Sequence, residues 1–230
     1  MSEVVAREIL AEVLSSGLKP GDRLPAESVM LRQYDIARST MREALRILEV
    51  YGVLAIRPGP GGGPVLADIG FRDIAHAMQL FFTATNLTLG EVTSSLHLLQ
   101  AMLARQAATV RDPDQMERLR VAVERQPSED RTEFHQTVVG FHHVLADVPG
   151  GKVLRVFVEA MEQMMALQVG MRVDIHDMKE NLQDHEDIAD AVFAGDPDLA
   201  AKLSAEHSKR VVKLLRKSAP GALERRIEWT

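Results

Sequence analysis

The sequence contains no cysteine, which excludes a disulfide framework and a thiolate metal site. This composition agrees with a reducing compartment, and we expect the protein to be cytoplasmic. No apolar run approaches the roughly 18 residues that a membrane-spanning helix requires. Glu3, Arg7 and Glu8 fall within an early amphipathic repeat, unlike the uncharged core of a signal peptide. We therefore expect no membrane partner and no secretion.

The chain also lacks an excess of positive charge, with 27 basic and 33 acidic residues and a net charge of −6. Most of the excess acid lies late in the chain, because residues 1–68 carry 8 basic and 9 acidic side chains. Between Arg32 and Arg57 there is a local excess, with five arginines and three acids. Phosphate contacts dominate nucleic-acid affinity, so this modest excess predicts weak binding by one chain and favours a homodimer.

One N-terminal segment, RSTMREALRILE, has two stripes at helical spacing. Its apolar positions recur at four and three, which predicts one buried helix face. Its arginines recur every four residues, which suits phosphates and guanine edges in a major groove. On an arbitrary helix such a stripe is more often a solvated face, so the flanking segments must decide. The apolar residues are Met41, Leu45 and Leu48, and the arginines are Arg38, Arg42 and Arg46.

The flanking segments complete a recognisable arrangement. The preceding AESVMLRQY is long enough for about two helical turns, and residues 35–37 form a short link to the basic helix. Two apolar runs, residues 53–56 and 64–67, surround PGPGGG and predict a β-hairpin with Gly61 and Gly62 at its tip. Helix, turn, basic helix and glycine-rich hairpin together predict a winged helix-turn-helix that binds double-stranded DNA.

Residues 8–67 resemble the N-terminal domain of the GntR family of bacterial transcription regulators. The turn PGDRLPAE, the segment from Arg38 and the glycine-rich hairpin carry this resemblance. It implies that Arg38 and Arg42 contact operator DNA, and that Ser39 and Thr40, which lie between them, begin the recognition helix. The complete set of predicted DNA-contacting residues is Arg38, Ser39, Thr40, Arg42, Arg46, Gly61 and Gly62.

Two positions depart from the pattern of that family. Ser28 stands where an Arg usually follows the Glu of the PxE turn, which removes one expected phosphate or base contact. Ala37 stands where a Ser usually precedes Arg38, which removes an N-cap side chain worth about 1 kcal/mol of helix stability.

From about residue 71 onward, the chain is rich in helix-forming Ala, Leu, Met, Glu and Gln. Breaks at Asn, Gly and Pro separate six segments long enough to form antiparallel helices, and we expect the tail after Ser218 to fray. The predicted fold class is mostly α, with two domains. Residues 1–68 form the winged helix-turn-helix, and residues 69–230 form an all-α antiparallel bundle for effector binding and dimerisation.

Three histidines of the second domain have informative positions. His185 and His207 lie at equal distances in sequence on either side of Asp196, in the turn Gly-Asp-Pro. Because an α-helix rises about 1.5 Å per residue, two antiparallel helices return these side chains to the same height. Neutral imidazole is a common ligand of zinc-like metals, and a third histidine would complete a three-ligand site. His142 is our candidate.

Residues 71–217 resemble the FCD effector-binding domain of FadR-like GntR regulators. The resemblance rests on FHHVLA, which begins at Phe141, and on a later pattern that runs from His185 to His207. In many members three His and one Asp bind a divalent metal, which helps to hold a carboxylate-bearing metabolite. The resemblance therefore implies a metal site at His142, His185 and His207, with zinc or nickel as the expected metal.

The effector pocket departs from the family pattern at three positions. Val138 stands one helical turn before His142, where that family has the ligating Asp. Thr93 and His97 stand where an Arg and a Glu often face the pocket. Three alternatives remain open: His97 supplies a fourth ligand, water or effector completes a three-His site, or the pocket binds no metal. The effector is either a carboxylate or a more apolar metabolite.

We interpret the chain as a homodimeric, effector-responsive transcription regulator, with repression as the expected sign. One alternative is a DNA-binding dimer whose second domain is purely structural. Another is a metal-dependent hydrolase with Glu186 as base, since three His and an open position can activate water. Adjacent helix residues point about 100° apart, however, so Glu186 is poorly directed beside His185.

Overall fold

The computed structural model describes residues 1–59, 62–68, 70–124, 130–148, 150–169 and 175–229. The chain divides into two compact units, Met1–Asp73 and Ile74–Thr230. Gly61, which the sequence analysis assigns to the DNA-contacting set, lies outside the described residues. In the described ranges, no helix is both long enough and apolar enough to span a membrane.

The first unit is built from three helices and a β-hairpin. The elements are α1 (Ser2–Ser15), α2 (Glu27–Tyr34), α3 (Arg38–Val50), β1 (Leu54–Arg57) and β2 (Gly63–Leu66). Helices α1 and α3 pack against each other, and Ile9 and Met41 are at most 1% exposed. The two strands are antiparallel, with Ala55 opposite Val65. This architecture confirms the predicted winged helix-turn-helix.

The link between α2 and α3 explains how α3 begins. Asp35 ends α2 in the left-handed region, with φ of 48°, and Ala37 is extended immediately before α3. In the part of the chain that the structure describes, no side chain caps the N-terminus of α3. The missing N-cap that the sequence predicts at Ala37 is therefore confirmed.

The second unit is a helical bundle centred on α5. Its elements are α4 (Phe71–Ala84), which begins three residues before the boundary of the unit, α5 (Leu89–Val110), α6 (Pro113–Glu124), α7 (Arg131–Ala146), α8 (Lys152–Val169), α9 (Ile175–Ala194) and α10 (Pro197–Ser218). Helix α5 contacts α7, α8, α9 and α10, and Leu103, Ala104 and Ala107 on it are at most 1% exposed. The all-α prediction is confirmed for the described residues of this unit. The predicted number of six helical segments is wrong, because the stretch before the first break also forms a helix, α4.

The segment after α10 packs against the bundle, so the prediction that it frays is wrong. Ala222, Leu223 and Ile227 are buried. The amide of Ile227 donates to the carbonyl of Leu87 over 2.9 Å, and Gln79 Nε2 donates to the Glu228 carbonyl over 2.7 Å. Apolar burial and these long-range hydrogen bonds outweigh the general tendency of terminal segments to fray.

Candidate functional site

The predicted DNA-reading face of α3 is exposed on the first unit. Arg38, Ser39, Arg42 and Arg46 are exposed and Thr40 is partly exposed. The opposite face holds Met41, Ala44, Leu45 and Leu48, all buried in the core of the unit. Arg38 Nε lies 3.5 Å from Oε1 of Glu27, at the start of α2. The helix therefore presents a cationic surface while its apolar face holds it in place.

Gly62 is required by the shape of the hairpin tip. Its amide donates to the carbonyl of Gly59 over 2.9 Å, and Gly59 has a φ of 94°. A Cβ added at Gly62 would lie 2.2 Å from the carbonyl oxygen of Arg57, which is far too close. Glycine is therefore needed here to close the turn, independently of any contact that the tip makes with DNA.

The structure brings His142 of α7, His185 of α9 and His207 of α10 together inside the second unit. One potential ligand nitrogen from each ring lies within 4.8 Å of the others. The three side chains are at most 9% exposed. His142 Nδ1 and His185 Nε2 are buried and have no hydrogen-bond partner among the residues that the structure describes. We call these three residues the histidine cluster.

The α9–α10 hairpin positions two members of the cluster. Gly195 has a φ of 70°, which suits the tight exit from α9, and the Asp196 side chain caps α10 by accepting from the Leu199 amide over 2.9 Å. Pro197 occupies the first turn of α10, where its missing N–H costs little. The ring centroids of His185 and His207 are 4.8 Å apart, as their equal distances from this turn predict.

Burial keeps the cluster neutral. Burial, and then the other imidazoles, hold the pKa of His142 well below 6.5. Burial and the proximity of His207 do the same to the pKa of His185. Burial also lowers the pKa of His207, although its hydrogen bond to Asp184 opposes that shift. Neutral imidazoles keep the lone pairs that a metal ion needs.

Sequence reasoning missed Asp184, which directly contacts the cluster. Its Oδ2 lies 3.1 Å from His207 Nδ1 and 2.7 Å from Arg210 Nε, and its Oδ1 accepts from Arg210 Nη2 over 2.6 Å. The available signal was its position next to His185, at nearly the same distance from the Gly195 turn as His207. A carboxylate at that height on α9 is close enough to reach α10.

The three predicted effector-pocket residues have different surroundings. Thr93 is 1% exposed, and its hydroxyl donates to the Leu89 carbonyl over 2.7 Å. Val138 is 9% exposed and offers no ligand atom. His97 is partly exposed and does not belong to the cluster whose ligand nitrogens lie within 4.8 Å. Burial, and then nearby His207, lower the pKa of His97 to about 4.

Comparisons with known proteins match both units. The family described as bacterial regulatory proteins, gntR family, matches residues 1–62. The FCD domain matches residues 91–210. The HTH-type transcriptional repressor NanR of Cronobacter sakazakii is 26% identical over 235 residues, covering 92% of this chain and 84% of that protein. An Escherichia coli K12 protein named for regulation of the L-lactate dehydrogenase operon is 27% identical over 219 residues, covering 90% of this chain and 83% of that protein.

A solved structure supports the fold. The GntR protein of Streptococcus agalactiae superposes with a TM-score of 0.69 at 21% identity, and the match covers 93% of this chain and 99% of that one. The family and these relatives are transcription regulators and not enzymes, which removes the basis for a hydrolase. Because the FCD match alone spans more than half of the sequence, this protein belongs to the GntR family of bacterial transcription regulators and carries a C-terminal FCD domain.

Proposed function

We propose that this regulator is a homodimeric repressor whose DNA binding responds to a small metabolite, and that the histidine cluster holds a divalent metal ion. The observation that carries the metal proposal is the convergence of three buried imidazoles, two with an unpartnered buried nitrogen. Repression is supported by the relative that is named a transcriptional repressor. The small positive excess between Arg32 and Arg57 supports pairing of two DNA-binding units.

The residues present fit a metal ion of the zinc or nickel type. A buried polar atom without a hydrogen bond costs about 1 to 3 kcal/mol, so the two unpartnered nitrogens are costly unless they bind something. Neutral imidazole nitrogens are preferred by zinc, nickel and copper over magnesium and calcium, which prefer oxygen. A bound ion would supply a Lewis-acid centre to which an anionic oxygen of the metabolite can bind.

The protein's own part in the response follows from the positions of the three histidines. His142, His185 and His207 lie on α7, α9 and α10, so a ligand held between them favours one relative arrangement of these helices. Such a ligand shifts the population of DNA-binding states only if it binds one arrangement more tightly than the other. Burial of the cluster lowers the local dielectric constant and therefore strengthens the electrostatic contribution to that difference.

His97 and Thr93 limit which metabolite fits. The Thr93 hydroxyl is already bonded inside the bundle, and its Oγ1 lies 3.8 Å from Sδ of Met165. His97 is neutral near pH 7 because its pKa is about 4. Neither side chain supplies the positive charge that usually fixes a small carboxylate. We propose that the metal carries the anionic contact, while Met165 and its neighbours accept a more apolar remainder.

A purely structural second domain is the rival interpretation, and it is favoured if neither metal nor metabolite binds. Elemental analysis of purified protein tests the metal proposal first. We expect one ion per chain in the wild type and background levels in a double variant, His185→Gln with His207→Gln. The control is His76→Gln, which changes an exposed histidine of α4. Metal-free wild-type protein that also resists loading with zinc or nickel would refute the proposal.

The effector response needs a separate measurement. Duplexes that bind the purified protein are selected from a random pool, and fluorescence anisotropy then gives their affinity. We expect metal-loaded protein to change its DNA affinity when carboxylate metabolites are added, and the double variant not to respond. Identical titrations for the wild type and the double variant would favour the structural interpretation.

A further inference from the structure

We propose that Asp184 positions His207 by holding its imidazole in the tautomer that leaves Nε2 free, and that Arg210 holds Asp184 in turn. This inference deepens the proposed metal site and rests on it for its consequence, although the tautomer itself can be observed without metal. Exposed Arg210 bonds to the buried carboxylate of Asp184, and that carboxylate contacts the buried imidazole of His207.

The carboxylate of Asp184 is surrounded by donors. It is 8% exposed on α9, while both of its partners lie on α10. The guanidinium of Arg210 bonds both carboxylate oxygens, with Nε to Oδ2 at 2.7 Å and Nη2 to Oδ1 at 2.6 Å. This bidentate arrangement fixes the plane of the carboxylate. His207 Nδ1 lies 3.1 Å from Oδ2.

The chemistry of these groups determines where the ring proton lies. A carboxylate paired with a guanidinium can only accept hydrogen bonds, so Nδ1 of His207 must carry the hydrogen. In a neutral imidazole the other nitrogen, Nε2, then keeps its lone pair. The free nitrogen is therefore the one available to the cluster.

The spacing on α10 explains why one carboxylate serves both partners. Residues three apart on a helix lie on the same face, so His207 and Arg210 reach Asp184 together. A salt bridge that served only to join α9 and α10 would be complete with the two bonds from Arg210. The contact with His207 Nδ1 is additional, and it is the arrangement that orients histidine ligands in metal sites.

The tautomer is measured first, in metal-free protein with ¹⁵N-labelled histidine. Two-bond ¹H–¹⁵N correlation spectra distinguish protonated Nδ1 from protonated Nε2, and His207→Gln identifies the His207 signals. We expect His207 to carry its proton on Nδ1, and Asp184→Asn to produce a mixture of tautomers. A wild-type His207 protonated on Nε2 overturns the inference, whether or not the protein binds metal.

Zinc affinity is measured next, by competition with a chromophoric chelator. Loss of an outer partner of a metal-bound histidine typically weakens binding about 10- to 100-fold, and we expect Asp184→Asn to fall in that range. Asp190→Asn is the matched control, because Asp190 is an exposed acid on the same helix. Arg210→Met leaves the carboxylate in place and should weaken zinc binding less. It also tests the inference if Asp184→Asn fails to fold.

The outcomes separate this inference from the proposed function. Asp184→Asn that binds zinc as tightly as the wild type refutes the positioning role while leaving the metal site intact. Wild-type protein that binds no zinc refutes the metal site, and the tautomer spectrum still decides the role of Asp184.

Discussion

The ring of Phe141 stacks on the imidazole of His185, with the centroids 4.1 Å apart and the planes inclined by only 10°. Phe141 belongs to α7 and is 1% exposed, while His185 belongs to α9 and is 3% exposed. The next residue of α7, His142, also contacts His185, with ring centroids 4.8 Å apart. Two consecutive side chains of α7 therefore fix the plane and position of one member of the cluster.

Phe141→Leu should weaken both the fold and the cluster. Aromatic pairs contribute about 0.5 to 1.5 kcal/mol beyond their buried area, so we expect the free energy of unfolding to fall by about 1 kcal/mol or more. Zinc affinity should also fall, because leucine does not hold the imidazole plane of His185. Urea unfolding and chelator competition give the two quantities. Phe157→Leu, at a position that is 44% exposed, is the control. Unchanged zinc affinity in Phe141→Leu would contradict the role of the stack.

The predictable parts of this protein are those encoded by local spacing. Met41, Leu45 and Leu48 lie on one helix, so the buried face of α3 follows from their periodicity alone. His185 and His207 flank one tight turn, so the geometry of two antiparallel helices brings them together.

The remaining features depend on contacts between segments far apart in sequence. No spacing rule relates α7 to α9, so His142 was a candidate that only the three-dimensional packing brings to the other two histidines. The stack of Phe141 on His185 could not be predicted from the sequence for the same reason. Terminal segments commonly fray, yet Ile227 is 2% exposed and its amide donates to the carbonyl of Leu87, about 140 positions earlier in the chain. Local composition cannot reveal such a partner.

Arg42→Ala should weaken binding to a selected operator duplex by about 1 to 3 kcal/mol if the side chain contacts a base edge. Arg38→Ala should have a similar effect, and both substitutions should reduce sequence preference. Arg225→Ala, an exposed substitution in the second unit, is the control. Anisotropy titrations at several salt concentrations separate a lost base contact from a lost phosphate contact, because the latter also reduces the salt dependence. Wild-type affinity in both α3 variants would refute their assignment.

The stability of metal-free protein should decrease in acid, and His97 should contribute to that decrease. Its pKa is about 4 in the fold, below the usual 6.5, because burial and then His207 disfavour its charged form. The unfolded chain therefore binds more protons below pH 6.5, and stability is lost as the pH falls from there toward 4. In His97→Gln we expect the decrease in unfolding free energy between these pH values to be smaller by roughly 2 kcal/mol, after allowance for partial exposure. Urea unfolding across that range measures it.

The matched control for His97 is His76→Gln, which changes an exposed histidine of the same unit. Both variants are unfolded in urea over the same pH range. If His97→Gln and His76→Gln behave alike, His97 does not titrate as its burial implies.

Zinc affinity of His97→Gln also tests whether this residue is a fourth ligand, since a marked loss is expected only in that case.

Val138→Asp tests the position at which the carboxylate ligand is expected. Val138 is 9% exposed and lies one turn before His142, so an aspartate there is buried without a partner when no metal is bound. We expect metal-free variant protein to lose about 2 kcal/mol or more of unfolding free energy, and zinc to restore most of it. Val139→Asp lies about 100° around the helix and should not be rescued. Zinc that fails to stabilise Val138→Asp more than the wild type would contradict this placement.

Equilibrium dialysis of chelator-treated protein against zinc and nickel tests the central claim most directly. We predict one ion per chain for the wild type, and none above background when His142, His185 and His207 are all replaced by Gln. Wild-type protein that binds neither metal, or a triple variant that binds as much as the wild type, would contradict the account.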